Sequence, residues 1–509
     1  MGIVQKDAFK TTVISYLGLF LGYVNKVVLF IWFLSTEQIG LINLILAVGL
    51  LFAQLSNLGT VYVTWRFFPF FRNAARKHYG FLLLNTLVVC FGILLFTLLF
   101  YFFQGTISNH FNSKSPLFVQ YYYWIIPLGI ANVFFMLFEN HLRGLFQNVF
   151  TVFLQDIVLR IGVTCLLLML AFNSISFELF FILHVLIYFI PGLVSFVYLL
   201  KIGEFHFSIK SITIPKRFRK IMVYFSLFSY LNTLTTLLVI SMDALMIASY
   251  LDLRQTGIYT TMINLTSALQ IPYRAIVRVS SPIIAKLWKA KDMIGMREIY
   301  EKSSAVGLFI GLLSFLCIWT CRLEFFSFLK PEFSAGMYVL FFLLIGRMVD
   351  MYCGLNGTIF STSKKYKFDL FFTVFLCLGI FVLNLYVIPN YGIVGAAFAT
   401  GLVYVIYNFA RTFYIYKVYG LLPFKRSQLK LVILFFVVFA LIEGISLSIP
   451  ADWLLEKSIS LFLIFIKCSL VIGLFVLPVI YFKMEPETAN YFNKLRSQWR
   501  MKKMNSLNK

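Results

Sequence analysis

Apolar runs of about 20 residues recur along the entire chain, and that recurrence leaves few folds open. An α-helix rises ~1.5 Å per residue, so such a run crosses the ~30 Å hydrocarbon layer of a bilayer with its backbone bonded internally. A water-soluble core cannot absorb so many of them. Of the 509 residues, 61% are apolar and 13% charged, against roughly 45–50% and ~25% in soluble domains. An ordinary soluble enzyme is excluded, and an all-α, polytopic membrane protein is expected. The first run, Thr11–Phe33, is too long for a signal-peptide core and lacks a small-residue cleavage site, so it is read as a span.

Fourteen spans are predicted: Thr11–Phe33, Ile39–Val63, Tyr79–Phe103, Tyr121–Phe138, Val149–Ala171, Phe177–Leu200, Ile221–Ala248, Gly257–Ile284, Ser304–Trp319, Ala335–Phe360, Leu370–Ile388, Ile393–Tyr416, Leu429–Leu447 and Ile459–Phe482. The formal charge of +24 comes from 44 Lys and Arg against 20 Asp and Glu. Sorted by loop, 32 of the basic residues fall on the side of the N-terminus and five (Lys114, Arg254, Arg322, Lys330, Lys457) on the other. The positive-inside bias therefore predicts both termini in the cytoplasm. The charge is a topology signal with attraction to anionic lipid as a by-product, and no nucleic-acid partner is expected. The external loops are short, the longest being Gln104–Gln120, and no G-x-x-x-x-G-K-[ST] segment is present to bind ATP. All seven cysteines lie in apolar stretches, which argues against a disulfide framework. Cys317 and Cys321, four apart without His or acidic neighbours, read as packing residues rather than metal ligands.

A shift of 217 residues brings the two halves into register. Gln38-Ile39-Gly40-Leu41-Ile42 then falls on Gln255-Thr256-Gly257-Ile258-Tyr259, and the span starts follow. The pentapeptide FTVFL also recurs at Phe150–Leu154 and Phe372–Leu376. Six spans per unit is an even number, so the repeats are parallel, related by an axis along the membrane normal. The expected organisation is a six-helix bundle over 1–200, a basic linker over 201–220 and a second bundle over 221–417. Two appended helices over 418–482 and a basic tail over 483–509 complete it.

Ionisable residues inside spans cost about 2.5–3.5 kcal/mol each, so they face a bundle interior or a wet cavity. Spacing suggests mutual pairing for Asp156 with Arg160, Arg347 with Asp350, Glu139 with Arg143, and Glu443 with Lys467. Left over are Lys26, Asp243, Arg274 and Arg278. Arg274 and Arg278 share one helix face, where like charges repel unless the face is wet or an anion visits. Their forked guanidinium groups suit phosphate oxygens. Under the 217-residue shift, Lys26 falls on Asp243 and Asn57 on Arg274, so both halves carry polar groups at equivalent positions. Arg274, Arg278 and Lys26 are the expected anion-binding residues. Asp243 and Asn57 are expected as polar cavity groups, with Asp243 able to pair with Lys26. Pro272 is expected to bend the eighth helix. His184 reads as a core histidine, and Tyr121-Tyr122-Tyr123-Trp124 as an interfacial aromatic belt.

These residues and this layout resemble the polysaccharide flippases (the Wzx-like, O-antigen and capsule-unit branch) of the multidrug/oligosaccharidyl-lipid/polysaccharide exporter superfamily. The resemblance is carried by Thr36-Glu37-Gln38-Ile39-Gly40-Leu41, Asn57-Leu58-Gly59, Ile271-Pro272-Tyr273-Arg274-Ala275 and Pro282-Ile283-Ile284-Ala285-Lys286-Leu287-Trp288. Its most specific segment is Pro389-Asn390-Tyr391-Gly392-Ile393-Val394-Gly395-Ala396-Ala397-Phe398-Ala399-Thr400. The resemblance implies a fold like that of multidrug exporters, with two six-helix bundles and two extra helices. It implies translocation of an undecaprenyl-pyrophosphate-linked oligosaccharide across the bacterial inner membrane by alternating access. Lipid-linked oligosaccharide and membrane lipids are then the partners, beside a polysaccharide polymerase or export complex, with no cofactor. Three other readings stay open: a lipid II flippase, a cation-coupled multidrug antiporter, and a membrane-embedded glycosyl- or phosphotransferase. Drug exporters more often present acids to cationic cargo, which only Asp243 would supply. A transferase would show paired acids at a span end, which this chain lacks.

Overall fold

A computed structural model describes residues 2–205, 216–365, 367–448, 450, 453, 456–482 and 484. The middle of the expected linker and nearly all of the expected basic tail lie outside the described residues. Contacts divide the chain into two compact units, Met1–Thr261 and Met262–Lys509. The first holds α1 (Lys10–Phe33), α2 (Thr36–Ser56), α3 (Thr60–Phe71), α4 (Phe81–Asn112), α5 (Ile125–Gly144), α6 (Asn148–Ala171), α7 (Phe177–Lys201) and α8 (Lys216–Tyr250). Helix α9 (Leu253–Ser267) starts in the first unit and ends in the second. The second continues with α10 (Gln270–Ala290), α11 (Met293–Thr320), α12 (Met337–Tyr352), α13 (Asn356–Thr362), α14 (Lys367–Tyr419), α15 (Arg426–Leu447) and α16 (Lys457–Tyr481). No strand occurs among the described residues.

Among the described residues, twelve helical stretches are long and apolar enough to cross a membrane. The difference from fourteen predicted spans has two physical sources. The eleventh and twelfth expected spans run on as the single helix α14, whose direction changes at Gly392 (φ 60°, ψ −146°). The eighth is divided into α9 and α10, and α10 carries too many cations to count as an apolar span. Pro272 sits in the first turn of α10, where an N–H would have no intrahelical partner, so the interruption precedes the proline.

Two further expected spans are also broken, and each break is stitched by hydroxyls, because hydrocarbon cannot satisfy a free carbonyl. Between α2 and α3, Leu58 and Gly59 take positive φ (47° and 81°). Helix α8 reaches this elbow three times. Ser226 Oγ donates to Leu58 O (3.2 Å), Tyr230 Oη donates to Leu55 O (3.1 Å), and Thr233 accepts from the Tyr62 hydroxyl. Between α12 and α13, Ser304 Oγ donates to Tyr352 O (2.6 Å) and the Tyr273 hydroxyl donates to Gly354 O.

Helix α2 starts at a capping box: Ser35 Oγ accepts from Gln38 N–H (3.2 Å) and Gln38 Oε1 accepts from Ser35 N–H (2.9 Å). One turn later α2 crosses α9 so closely that a Cβ on Gly40 would collide with Leu253 O, and one on Gly257 with Thr36 O. Next along, Asn43 Nδ2 donates to Thr260 Oγ1 at 3.2 Å, a pair separated by 217 residues. Gly40 and Gly257, and Thr36 and Leu253, stand in that same relation, so the crossing is locally two-fold symmetric in the register of the repeat. Small residues are what let two membrane helices approach to backbone contact.

In the second unit, α15 and α16 are each tied by an ion pair to the short helix Arg322–Ser327 that follows α11. Arg322 grips Glu443 with both guanidinium nitrogens, one arm at 2.9 Å. Lys467 meets Glu324 at 2.5 Å with side chains 2% and 0% exposed. The expected pairing of Glu443 with Lys467 is thus exchanged: each takes a partner from a corner that spacing along the chain could not reveal. Outward faces carry large apolar side chains such as Phe102, Phe371 and Phe465, as a lipid-facing surface requires. Tyr121 and Tyr122, expected at an interface, are instead buried, Tyr121 against Phe181 and Tyr122 with its hydroxyl on Phe100 O.

Two outcomes are expected from this architecture. Gly40→Leu forces the crossing apart and should cost about 2 kcal/mol or more, read as a lowered melting temperature of the purified protein, with Gly40→Ala milder. Glu324→Gln leaves Lys467 buried without its counter-charge and should cost roughly 3–5 kcal/mol, whereas the double change E324Q/K467M should recover most of that loss. Thermal unfolding of the variants in one detergent checks the order.

Candidate functional site

The α10 residues Gln270, Tyr273, Arg274, Val277 and Arg278 recur at the three- and four-residue spacing that puts side chains on one helix face. With Asp350 of α12 they line a cavity of about 370 Å³ in the second unit. Arg274 and Arg278 are both exposed there. Arg274 approaches Gln270 Oε1 at 3.5 Å, and its charged neighbours are Arg347 and Asp350. Gln270 Nε2 donates to Asp350 Oδ2 at 3.1 Å, and Asn408, which donates to Tyr404 O at 3.1 Å, lies near the same carboxylate. Asn408 is itself held by Asn356 Nδ2 at 3.1 Å.

Other charges within the spans of this unit are closed onto partners. Arg411, 7% exposed, meets Asp369 at 2.5 Å and donates to the Tyr407 hydroxyl at 2.5 Å. Around the cavity no such closure occurs. Among the described residues neither Arg274, Arg278 nor Arg347 comes within 4 Å of a carboxylate, and the expected Arg347–Asp350 pair is not formed as a contact. Arg347 instead lies over the Tyr404 ring, 5.7 Å from its centroid. Two guanidinium groups and one unclosed acid line the pocket, with Arg347 acting on that acid from nearby, and leave it net positive, a setting for an anion with several oxygens.

The remaining predicted residues lie in the first unit. Lys26 sits in a π-helical turn of α1, Val24–Leu29, and the neighbouring α6 carries a second π turn at Leu154–Val158. Polar side chains tie α1 to α6 here. Asn25 Nδ2 donates to Arg160 O (2.9 Å), Thr164 Oγ1 to Asn25 Oδ1 (2.8 Å), and Arg160 to Gly18 O (2.7 Å). Asp156 and Arg160 pair at 3.5 Å and Glu139 and Arg143 at 2.5 Å, as their spacing predicts. Lys26 has Arg160 and His184 as its titratable neighbours and, among the described residues, no carboxylate in ion-pair reach. Asp243 does not pair with it: Asp243 accepts from the Tyr259 hydroxyl at 2.5 Å. His184 is 3% exposed among Phe30, Phe180 and Tyr188. Asn57 is spent on its own helix end, bonding Gln54 Oε1 (2.9 Å) and the Gly59 N–H (2.7 Å). The cavity therefore collects Arg274 and Arg278 but not Lys26, Asp243 or Asn57. It adds Gln270, Tyr273 and Val277, to which sequence reasoning gave no site role, and Asp350, which it had assigned to Arg347. Gln270 was within reach, since it lies four residues before Arg274 and eight before Arg278 on one face.

Three comparisons bear on what carries this site. The structure superposes on the lipid II flippase MurJ in an inward closed conformation with a TM-score of 0.68 at 14% identity, covering 93% of this chain and 98% of that one. An inward-facing multidrug-resistance MATE transporter of the MOP superfamily matches with a TM-score of 0.61 at 11% identity, over 81% and 98%. A MOP superfamily transporter from Pyrococcus furiosus, described as having a binding pocket of reversed polarity, matches at 0.53 and 13% identity, over 82% and 96%. At these identities the likeness establishes the fold. No curated protein matches the chain. A family model described as "Polysaccharide biosynthesis protein" matches residues 4–288, more than half of its length. The chain belongs to that polysaccharide biosynthesis family and has the fold of the multidrug/oligosaccharidyl-lipid/polysaccharide exporters.

Proposed function

We propose that this protein is a flippase that carries a polyprenyl-pyrophosphate-linked oligosaccharide from the cytoplasmic to the periplasmic leaflet of a bacterial inner membrane. The cargo serves the synthesis of a surface polysaccharide such as O-antigen or capsule. The single observation that carries this reading is the pair Arg274 and Arg278, exposed on one wall of a cavity and closed onto no carboxylate among the described residues. A pyrophosphate offers the anionic oxygens such a wall lacks, while a prenyl tail stays in lipid and the glycan needs room and water. The family supports polysaccharide assembly as the setting, and the fold supports transport rather than catalysis. Lys26, half-buried with no acid beside it among the described residues, is a second positive station for the head group on its way through. The loop charges support both termini lying in the cytoplasm. Membrane lipids and a polysaccharide polymerase or export complex are the partners in this reading, and alternating access is the transport mode.

A multidrug antiporter would place an acid where a cationic drug binds. The cavity's one acid is outnumbered by arginines, which favours the anion. Two charge-assisted hydrogen bonds are worth about 1.5–3 kcal/mol each. R274A/R278A should therefore lower surface-glycan export at least ~100-fold in a deletion strain, at unchanged protein level, with R274K/R278K in between. Normal export by the alanine pair, or drug sensitivity on deletion with glycan intact, would overturn the reading.

A further inference from the structure

Asp350 is out of place in a pocket for an anion. Elsewhere in the second unit, acids within the helical bundle are shut onto cations: Asp369 on Arg411, Glu324 on Lys467, Glu443 on Arg322. Asp350 lines the same cavity as Arg274 and Arg278, and both Arg274 and Arg347 act on it electrostatically, yet it closes on neither. One carboxamide stands between acid and base. Gln270 donates its Nε2 to Asp350 at 3.1 Å and turns its Oε1 toward Arg274 at 3.5 Å. Tyr273, which could compete for this space, has its hydroxyl committed to Gly354 O.

We propose that Asp350 is an internal counter-anion, held off Arg274 by Gln270, that competes with the cargo's diphosphate for the arginines and so sets how readily the cargo leaves. This rests on the phosphate-binding reading of the cavity given above. The physical logic lies in the intermediate spacing. An acid in full contact would lock the arginine as a structural pair, which is what befalls Arg411. No acid at all would leave Arg274 and Arg278 to hold a diphosphate too firmly for turnover. An acid one side chain away neutralises part of the field in the empty pocket and repels the departing phosphate oxygens. Asp350 is thus a positioning residue that acts through Arg274.

The sign of one substitution separates this role from a merely structural one. The full-length protein in neutral phosphatidylcholine nanodiscs is titrated with inorganic pyrophosphate, as wild type, D350N, Q270L, Q270L/D350N and R274A/R278A. Asp350→Asn should tighten binding about tenfold, the order expected from removing one nearby charge at intermediate dielectric. It should also slow dissociation and reduce glycan export in cells, because release becomes limiting. Gln270→Leu removes the spacer, lets the acid close on Arg274 and should weaken binding by a similar factor, and Q270L/D350N should reverse that loss. Unchanged or weaker binding by D350N, with binding still abolished in R274A/R278A, would overturn the counter-anion and leave the phosphate site standing. The counter-anion is likewise overturned if D350N fails to fold and Q270L binds as tightly as wild type. Indistinguishable titrations of wild type and R274A/R278A would instead remove the phosphate site itself.

Discussion

Hydrocarbon offers no hydrogen bonds, and every polar group this chain carries into the membrane must find its partner within the protein. That constraint organises the structure at each scale. It explains why the breaks between α2 and α3 and between α12 and α13 are stitched by the hydroxyls of Ser226, Tyr230, Ser304 and Tyr273. It explains why polar side chains at the contact of α1 and α6 are spent across it, Asn25 on Arg160 O, Thr164 on Asn25 and Arg160 on Gly18 O. It also makes exceptions informative, because a charge left open in such a setting has a cost that nothing in the fold recovers.

The charges of the second unit sort by that criterion into two kinds. Arg322, Arg411 and Lys467 are fastened to acids from other helices and act as ties between elements. Arg274, Arg278 and Arg347 are not fastened, and two of them line an open cavity. The family supplies polysaccharide assembly as the setting, and the cavity supplies the sign and shape of what it would hold. Neither alone leads to a phosphate-bearing lipid-linked sugar; together they make it the economical reading.

Much of the fold was legible in the sequence because its dominant signal, long apolar runs, is local. The 217-residue register was legible too, and the Asn43–Thr260 contact falls on it. Arg274 and Arg278 stood out because like charges four apart on one helix are unfavourable whatever surrounds them. What escaped was set by tertiary proximity. Glu443 and Lys467 looked like partners only because their spans adjoin, while the corner at Arg322–Ser327 offers each a nearer one. Spacing along one helix points Asp350 at Arg347, yet the amide of Gln270 reaches it from another. Asn57 has a polar side chain that pointed to the cavity, when an interrupted helix had a prior use for it.

At the elbow between α2 and α3 the Leu58 carbonyl is bonded by a different helix, α8, which also adds a second bond to Leu55 O beside the one from Leu58 N–H. A helix end capped from within can shift as a unit; one capped by a neighbour has given up that independence. Any sliding of α8 along its axis must either carry the elbow with it or strand the Leu58 oxygen in an apolar medium. The two elements are therefore geared together, and a displacement entering at α8 re-emerges as a change of angle in the helix that bears the Gly40 crossing.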